Sequence, residues 1–375
     1  MGLKLKVNRN FLHLATARVQ GSINDRGLAQ IGLKVAGGKL SVSAADSVLA
    51  VYTACACEAL VEGSVFVPAR IFSEIVRELP EGLIKLEAMA SQLVITAGAR
   101  EEFLMKIPLI ENAVWREPPV FDTDNSADLP AVKLTYMVEQ VQFCVSQESS
   151  RNYGTVGFLH RPDKETIRLV GTDGFRLSYC EVGTAMPDGF LENGVALSKR
   201  ALNEILRMCS EGFESVHLAI SGDQTALVAQ VTDYQIFVRL SAVKYPNYAG
   251  VIPAARQSRV MVSRSQLQNV ARRVLLAADK SHALQLSFSD SSLTLASKTM
   301  GSSEGKESVL LDDYHGPRCD LAVNGKFLTD IFSTTPSEKL TLQFKDVEEP
   351  MVIVPRDEPT DCRSKHVLVP IRESE

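Results

Sequence analysis

One pattern recurs three times along this chain with a period near 127 residues, and no other feature restricts the possible folds as much. Val67-Pro68, Leu197-Ser198 and Val323-Asn324 stand 130 and 126 residues apart, and each opens a helix-like run. The apolar positions inside these runs superpose: Ile71, Phe72, Ile75 and Val76, then Ala201, Leu202, Ile205 and Leu206, then Phe327, Leu328, Ile331 and Phe332. Residues at i, i+1, i+4 and i+5 make one apolar stripe, so each helix packs one face and leaves the other wet. A second landmark agrees. Lys6-Val7-Asn8, Lys133-Leu134-Thr135 and Met261-Val262-Ser263 lie 127 and 128 residues apart, each ending on an N-cap residue ahead of a helix-like run.

Between the two helices of each copy, Leu40-Ser41-Val42, Ile167-Arg168-Leu169 and Leu293-Thr294-Leu295 alternate apolar and polar residues, the period of a half-buried strand. Further strand pairs follow the second helix: Ile84 to Leu86 with Leu93 to Ile95, Val216 to Leu218 with Ala226 to Val228, and Leu340 to Leu342 with Met351 to Ile353. The expected fold is therefore α+β, three tandem copies of a unit in which two helices pack on antiparallel sheets. The copies are placed at 1–121, 129–249 and 254–375. Glu117 to Pro130, rich in proline and acid, reads as an extended connector. Ala249 to Arg256 reads as a second, shorter connector, and Pro355 to His366 as an insertion ahead of the last strand.

Composition narrows the function. No run of about 18 apolar residues is present, which predicts no transmembrane helix and no membrane partner. Met1 to Asn10 lacks the apolar core of a signal peptide, and Lys6 stands where a myristoylation signal wants Ser or Thr. Seven scattered cysteines fit a reducing cytoplasm. Cys55 and Cys57 share a strand face without a second pair or nearby His, so packing is expected there rather than a metal. A net charge of −5 argues against a wholly basic nucleic-acid binder but allows one locally basic surface.

No phosphate-binding loop, nucleophile elbow or dinucleotide fingerprint appears, and the six histidines show no ligand spacing, so neither enzymatic activity nor a cofactor is expected. A catalytic reading would have to rest on Asp173 as nucleophile or base, with no His or Lys near it in sequence. Basic residues concentrate in the helix-like runs (Arg9, Arg18, Arg70, Arg77, Lys199, Arg200, Arg207, Arg264, Arg272, Arg273, Lys326), whereas many acids fall in turns and connectors. Wet helix faces biased positive in an acidic protein suit a phosphate backbone read without regard to sequence. Near the middle, Val170-Gly171-Thr172-Asp173-Gly174-Phe175-Arg176-Leu177 places a turn between two strands, since Asp bonds its own backbone and Gly tolerates positive φ.

That octapeptide, the Tyr245-Pro246-Asn247-Tyr248 turn and the ending Val367-Leu368-Val369-Pro370-Ile371-Arg372 together resemble the bacterial sliding clamp family, the beta subunit of DNA polymerase III. The resemblance covers the whole chain. It implies a closed ring, a head-to-tail homodimer of six domains that encircles double-stranded DNA as a processivity factor. It further implies a groove between the second and third domains for short peptides of the replicative polymerase alpha subunit, the clamp loader and other partners carrying clamp motifs. Carried over by motif, the groove takes Thr172, Gly174, Phe175, Arg176 and Leu177, then Pro246 and Val251, then Val367, Leu368, Pro370, Ile371 and Arg372. Without the resemblance, Val367 to Ile371 reads equally as a plain edge strand.

The DNA-facing set implied is Arg26, Arg77, Lys199, Arg200, Arg207, Arg272, Arg273 and Lys280. Phe103 and Met105 resemble one wall of the dimer interface and Leu275 and Leu276 the other, with Arg70 and Arg77 opposite Glu304 and Glu307. Three departures from the family pattern touch peptide preference. Phe175 replaces a common His, Gly250 a common basic residue, and Glu373-Ser374-Glu375 extends past the usual end. They also leave room for a diverged second clamp serving few partners.

Overall fold

Among the described residues six α-helices form: α1 Arg9–Val19, α2 Ala69–Glu78, α3 Ala131–Glu139, α4 Lys199–Cys209, α5 Arg264–Val274 and α6 Gly325–Thr334. The chain is described here by a computed structural model covering residues 2–23, 29–98, 100–119, 121–253, 258–311 and 313–371, with the side chains of 122–124 excepted. Asn8 accepts a hydrogen bond from the amide of Asn10 at 2.9 Å, Ser263 from that of Gln266 at 3.2 Å, and Asn324 from those of Lys326 and Phe327. Each satisfies amides that a helix start leaves without partners.

The second copy departs from that scheme. Lys133-Leu134-Thr135 does not precede a helix but lies inside α3, which opens directly after Pro130. Proline carries no N–H and has φ fixed near the helical value, so it marks the entry in place of a capping side chain. The apolar stripes of the second helices bury Phe72, Ile75 and Val76, then Ala201, Leu202 and Ile205, then Leu328, Ile331 and Phe332. The leading members of the first and third do less: Ile71 is 43% exposed and Phe327 is half-buried, whereas Ala201 of the second is buried.

Residue contacts divide the chain into two units, Met1–Ala131 with Arg207–Leu240, and Val132–Leu206 with Ser241–Glu375. The division passes through the second copy, between Leu206 and Arg207 of α4. Hydrogen-bonded sheets explain it. In the first unit an eight-stranded sheet runs in the order Phe121–Pro130, Ser215–Ser221, Ala226–Val231, Tyr234–Arg239, Leu49–Ala56, Lys39–Ala45, Gln30–Ala36, Gly63–Pro68. Tyr234–Arg239 of copy two pairs there with Leu49–Ala56 of copy one, Ile236 opposite Val51. The same unit holds a five-stranded sheet that ends at Phe103–Pro108.

The second unit holds a nine-stranded sheet, Val195–Ser198, Val156–Asp163, Thr166–Thr172, Arg176–Gly183, Cys362–Leu368, Met351–Pro355, Lys339–Phe344, Ser258–Ser263, Tyr314–His315. Arg176–Gly183 of copy two pairs with Cys362–Leu368 of copy three, Leu177 opposite Val367. A four-stranded sheet in this unit ends at Ser303–Leu310. All these pairings are antiparallel, so one face of each sheet packs on a core while the other can stay wet.

Three readings of the connectors change. Phe121–Pro130 is not a free linker: it pairs with Ser215–Ser221, Leu129 opposite Val216 and Pro130 opposite Ser215. As the outermost strand it tolerates proline and leaves Asp128 exposed, so its composition resembles that of a linker. The insertion before the last strand shrinks, because Cys362–His366 already belongs to that strand. Nor are Val367 and Leu368 on an edge, since their strand lies between two others. Of the second connector, residues 254–257 lie outside those described, and Tyr248–Val251 forms a single helical turn.

All seven cysteines are free thiols. Among the described residues no three His, Cys, Asp or Glu side chains converge as a metal site, and no helix is long and apolar enough to cross a membrane.

Candidate functional site

In the second unit, the turn at 172–176 is built by its own side chains. The Asp173 carboxylate accepts from the amides of Phe175 and Arg176 at 3.0 and 3.1 Å. Thr172 Oγ1 accepts from the Gly174 amide and donates to the Arg176 carbonyl at 2.7 Å. Gly174 takes φ +89°, and a Cβ there would meet Arg151 Nη1 at 1.8 Å. Gly174→Ala is therefore expected to lower stability by about 1–2 kcal/mol through the left-handed backbone alone. It should also displace Arg151, measurable as a lowered urea midpoint together with weakened peptide binding.

Arg176 is 9% exposed, and its guanidinium is engaged on every side. Nε pairs with Asp173 at 3.0 Å, Nη1 with Asp330 of α6 at 2.7 Å, and Nη2 donates to the Phe143 carbonyl at 2.8 Å. Its Cζ lies 4.2 Å from the Phe327 ring centroid. Arg176 thus ties copy two to copy three, with each of its three nitrogens already donating within the fold. The same contacts give Asp173 a structural role, because its two oxygens hold the turn and Arg176.

Behind this turn His366 is fully buried, and burial lowers its pKa to about 3. Its Nδ1 lies 2.9 Å from Ser178 Oγ, which takes the Cys144 thiol at 3.2 Å. Burial pushes that thiol up to about 12, so it is an inert packing group.

The turn, the 245–251 segment and the end of the last strand enclose a cavity of about 160 Å³. An apolar void of about 150 Å³ takes a benzene-sized group, so this one suits a large aliphatic or aromatic side chain. Of the residues expected in the groove, Thr172, Gly174, Arg176, Leu177, Pro246, Val251 and Val367 line it. Phe175 stands at the rim, 59% exposed, with Arg151 5.5 Å from its ring centroid. Leu368 and Pro370 are buried away from the cavity and Ile371 is half-buried, its amide donating to the Ala322 carbonyl at 2.7 Å. Arg372 lies outside the described residues.

Four lining residues were not anticipated: Arg151, Tyr153, Tyr248 and Val369. Strand alternation could have found Val369, two positions from Val367 and so on the same face. Arg151 and Tyr153 sit in a polar loop with no motif, and no sequence signal points to them.

The remaining expected site residues divide by environment. Arg272 and Lys280 are exposed, and Lys199 and Arg200 half-buried. Arg77 is exposed and pairs with Glu78 at 3.2 Å, as Arg70 does with Glu74 at 3.1 Å. Arg207 donates to the carbonyls of Ala17 and Arg18 at the end of α1, where a cation complements the helix dipole. Arg273 holds Glu307 at 2.6 Å, so Glu307 already has a cation within its own chain. Arg26 lies outside the described residues. Phe103 is half-buried and Met105 is 38% exposed, both on the last strand of the five-stranded sheet. Leu275 packs against the copy-three core, whereas Leu276 is 86% exposed.

Comparison with known proteins gives three adjoining matches. Residues 3–110 match the family described as DNA polymerase III beta subunit, N-terminal domain, residues 128–247 its central domain, and residues 249–372 its C-terminal domain. The beta sliding clamp of Chlamydia muridarum is 28% identical over 387 residues, with 99% of each chain covered. That of Escherichia coli K12 is 24% identical over 381 residues, covering 99% of this chain and all of the other. Among solved structures, the DnaN sliding clamp of Pseudomonas aeruginosa bound to griselimycin superposes with a TM-score of 0.90 at 22% identity, covering 99% of this chain and 100% of that one. The clamp of Bacillus subtilis gives 0.91 at 18% identity, with both chains fully covered.

Proposed function

The chain belongs to the DNA polymerase III beta subunit family, and from that premise we infer that it works as a DNA sliding clamp, two copies closing head to tail into a ring around duplex DNA and tethering a polymerase there without catalysis. In this reading the copies at 1–121, 129–249 and 254–375 are the three domains, and the protein acts in the cytoplasm.

One observation carries the ring. Phe103–Pro108 and Ser303–Leu310 each end a sheet, of five and four strands, with an unpaired edge. Both edges are open: Leu104 is 56% and Met105 38% exposed on the first, and the second, otherwise polar with Glu304, Lys306 and Glu307, exposes Leu310 at 80%. An uncovered edge of that kind invites pairing with another chain. Joined between copies, the two would make a nine-stranded sheet, the same size as the one inside the second unit. The surfaces differ, so the contact is heterologous and gives a closed ring when its rotation suits.

The cavity supports a peptide site of ordinary design, a few apolar anchors beside a polar rim. A partner peptide would set a large apolar side chain against Leu177, Pro246, Val251 and Val367. Arg151, rather than the engaged Arg176, would meet its acidic end, since among the described residues no carboxylate pairs with Arg151. The partners in this reading are peptides of the polymerase alpha subunit and the clamp loader.

The test is retention on DNA. The loaded protein should stay on closed circles and leave once the circle is cut, as scored by gel filtration of labelled protein. Lys280→Ala should reduce the salt slope of residual DNA contact by about one unit, equally on all sequences, and change retention little because topology holds the ring. Equal retention on linear DNA would refute the reading.

A further inference from the structure

The groove wall formed by Pro246 and Val251 has little regular structure of its own, yet two tyrosines pin it to the nine-stranded sheet. Tyr245 stacks on Phe158 with centroids 5.0 Å apart and planes 11° from parallel, and its hydroxyl donates to the Val170 carbonyl at 3.2 Å. Tyr248 lines the cavity, and its phenolic oxygen lies 2.6 Å from Arg168 Nη1 and 2.8 Å from His160 Nε2. Arg168 is itself held by Glu181, Nε to Oε1 at 2.8 Å.

The direction of these bonds follows from what each group can do. A guanidinium only donates, so the Tyr248 oxygen accepts from Arg168. The phenolic hydrogen is then directed to His160 Nε2, which accepts it only while that nitrogen carries no proton; this tautomer is assigned from the network. We propose that His160 is a positioning residue for the groove: in its neutral form it accepts the Tyr248 hydrogen bond that sets the wall bearing Pro246 and Val251. It does not line the cavity itself. The proposal rests on the peptide-groove reading given above.

Protonation would undo the arrangement. A second N–H would face the phenolic hydrogen, and a second cation would lie beside the Arg168 guanidinium. The groups around His160 are Arg168 and Glu181 on the neighbouring strands and Tyr245 and Tyr248 on the turn, with Tyr179 and Lys365 further along the sheet, on the far side of Arg168. Burial and the charge of Arg168 outweigh Glu181 and hold the imidazole below its ordinary 6.5. The neutral form therefore persists down to that value, and the wall loosens only as pH falls below it.

The experiment measures anisotropy of a labelled polymerase-tail peptide from about pH 8 downward, with the histidine followed by proton NMR over the same range. Native protein should bind with a constant affinity above pH 6.5 and lose about fivefold or more below it. His160→Gln keeps an acceptor that cannot titrate, so it should bind as native does near neutrality and stay flat in acid. Tyr248→Phe should bind more weakly at every pH and raise the His160 pKa, because the donor that favours the neutral ring is gone. An acid limb unchanged in His160→Gln, or a His160 pKa unmoved by Tyr248→Phe, would overturn the proposal. Absence of peptide binding in the native protein would instead refute the groove, and the NMR titration would still decide the hydrogen bond.

Discussion

Leu276→Asp is expected to leave the protein monomeric at low micromolar concentration. Leu276 is 86% exposed in the single chain, immediately after Leu275, which is packed into its own core. A large aliphatic side chain so placed has nothing to gain from solvent, and the proposed contact with a second copy would bury it. Aspartate at that position would put an unpaired charge into the interface, at a cost of about 3 kcal/mol or more per contact. That is roughly a hundredfold or more in dissociation constant for each of the ring's contacts. Light scattering coupled to gel filtration reads the result directly, and circular dichroism should show the fold intact, because no core residue changes. A variant still dimeric at these concentrations would remove Leu276 from the interface.

Deleting Val369 to Glu375 should abolish peptide binding while the dimer survives. Val369 lines the cavity, and its amide bonds the Phe175 carbonyl at 3.0 Å, joining the chain end to the turn. The cut removes that wall, the Ile371 amide bond to Ala322 and the buried Pro370. Truncated anchors at such grooves cost roughly 2 kcal/mol or more each, so a micromolar peptide would fall below detection. Val367 and Leu368 remain in a central strand and should keep the core together. Deleting only Glu373 to Glu375 removes acid and no apolar surface. It should leave affinity unchanged or raise it, more visibly at low salt. Anisotropy with one labelled polymerase-tail peptide compares all three proteins. Full binding by the longer deletion would place the peptide elsewhere.

What the sequence determined by itself is local and repetitive. Helix starts at Asn8, Ser263 and Asn324, the apolar stripes of α2, α4 and α6, and the Thr172 to Gly174 turn depend on residues within a few positions of one another. Short-range capping, periodicity and turn chemistry therefore suffice to write them. A period near 127 residues likewise needs no structure to be seen, and it carried the three-copy α+β fold. The tertiary structure decided whatever depends on residues far apart in the chain. Proline and acid made Phe121–Pro130 look like a linker, and only its pairing with Ser215–Ser221 made it an outer strand. The chain's last strand became central because copy two supplies a neighbour on one side and copy three on the other. Arginines are the sharpest case. Arg151, Arg176, Arg207 and Arg273 are alike in sequence, one fixed charge on a long flexible stem. Asp330, lying 154 positions from Arg176, and the α1 carbonyls, some 190 from Arg207, settle which guanidinium holds the fold. Charge alone cannot distinguish them, since whether a cation is free or engaged is a property of its surroundings and not of the residue.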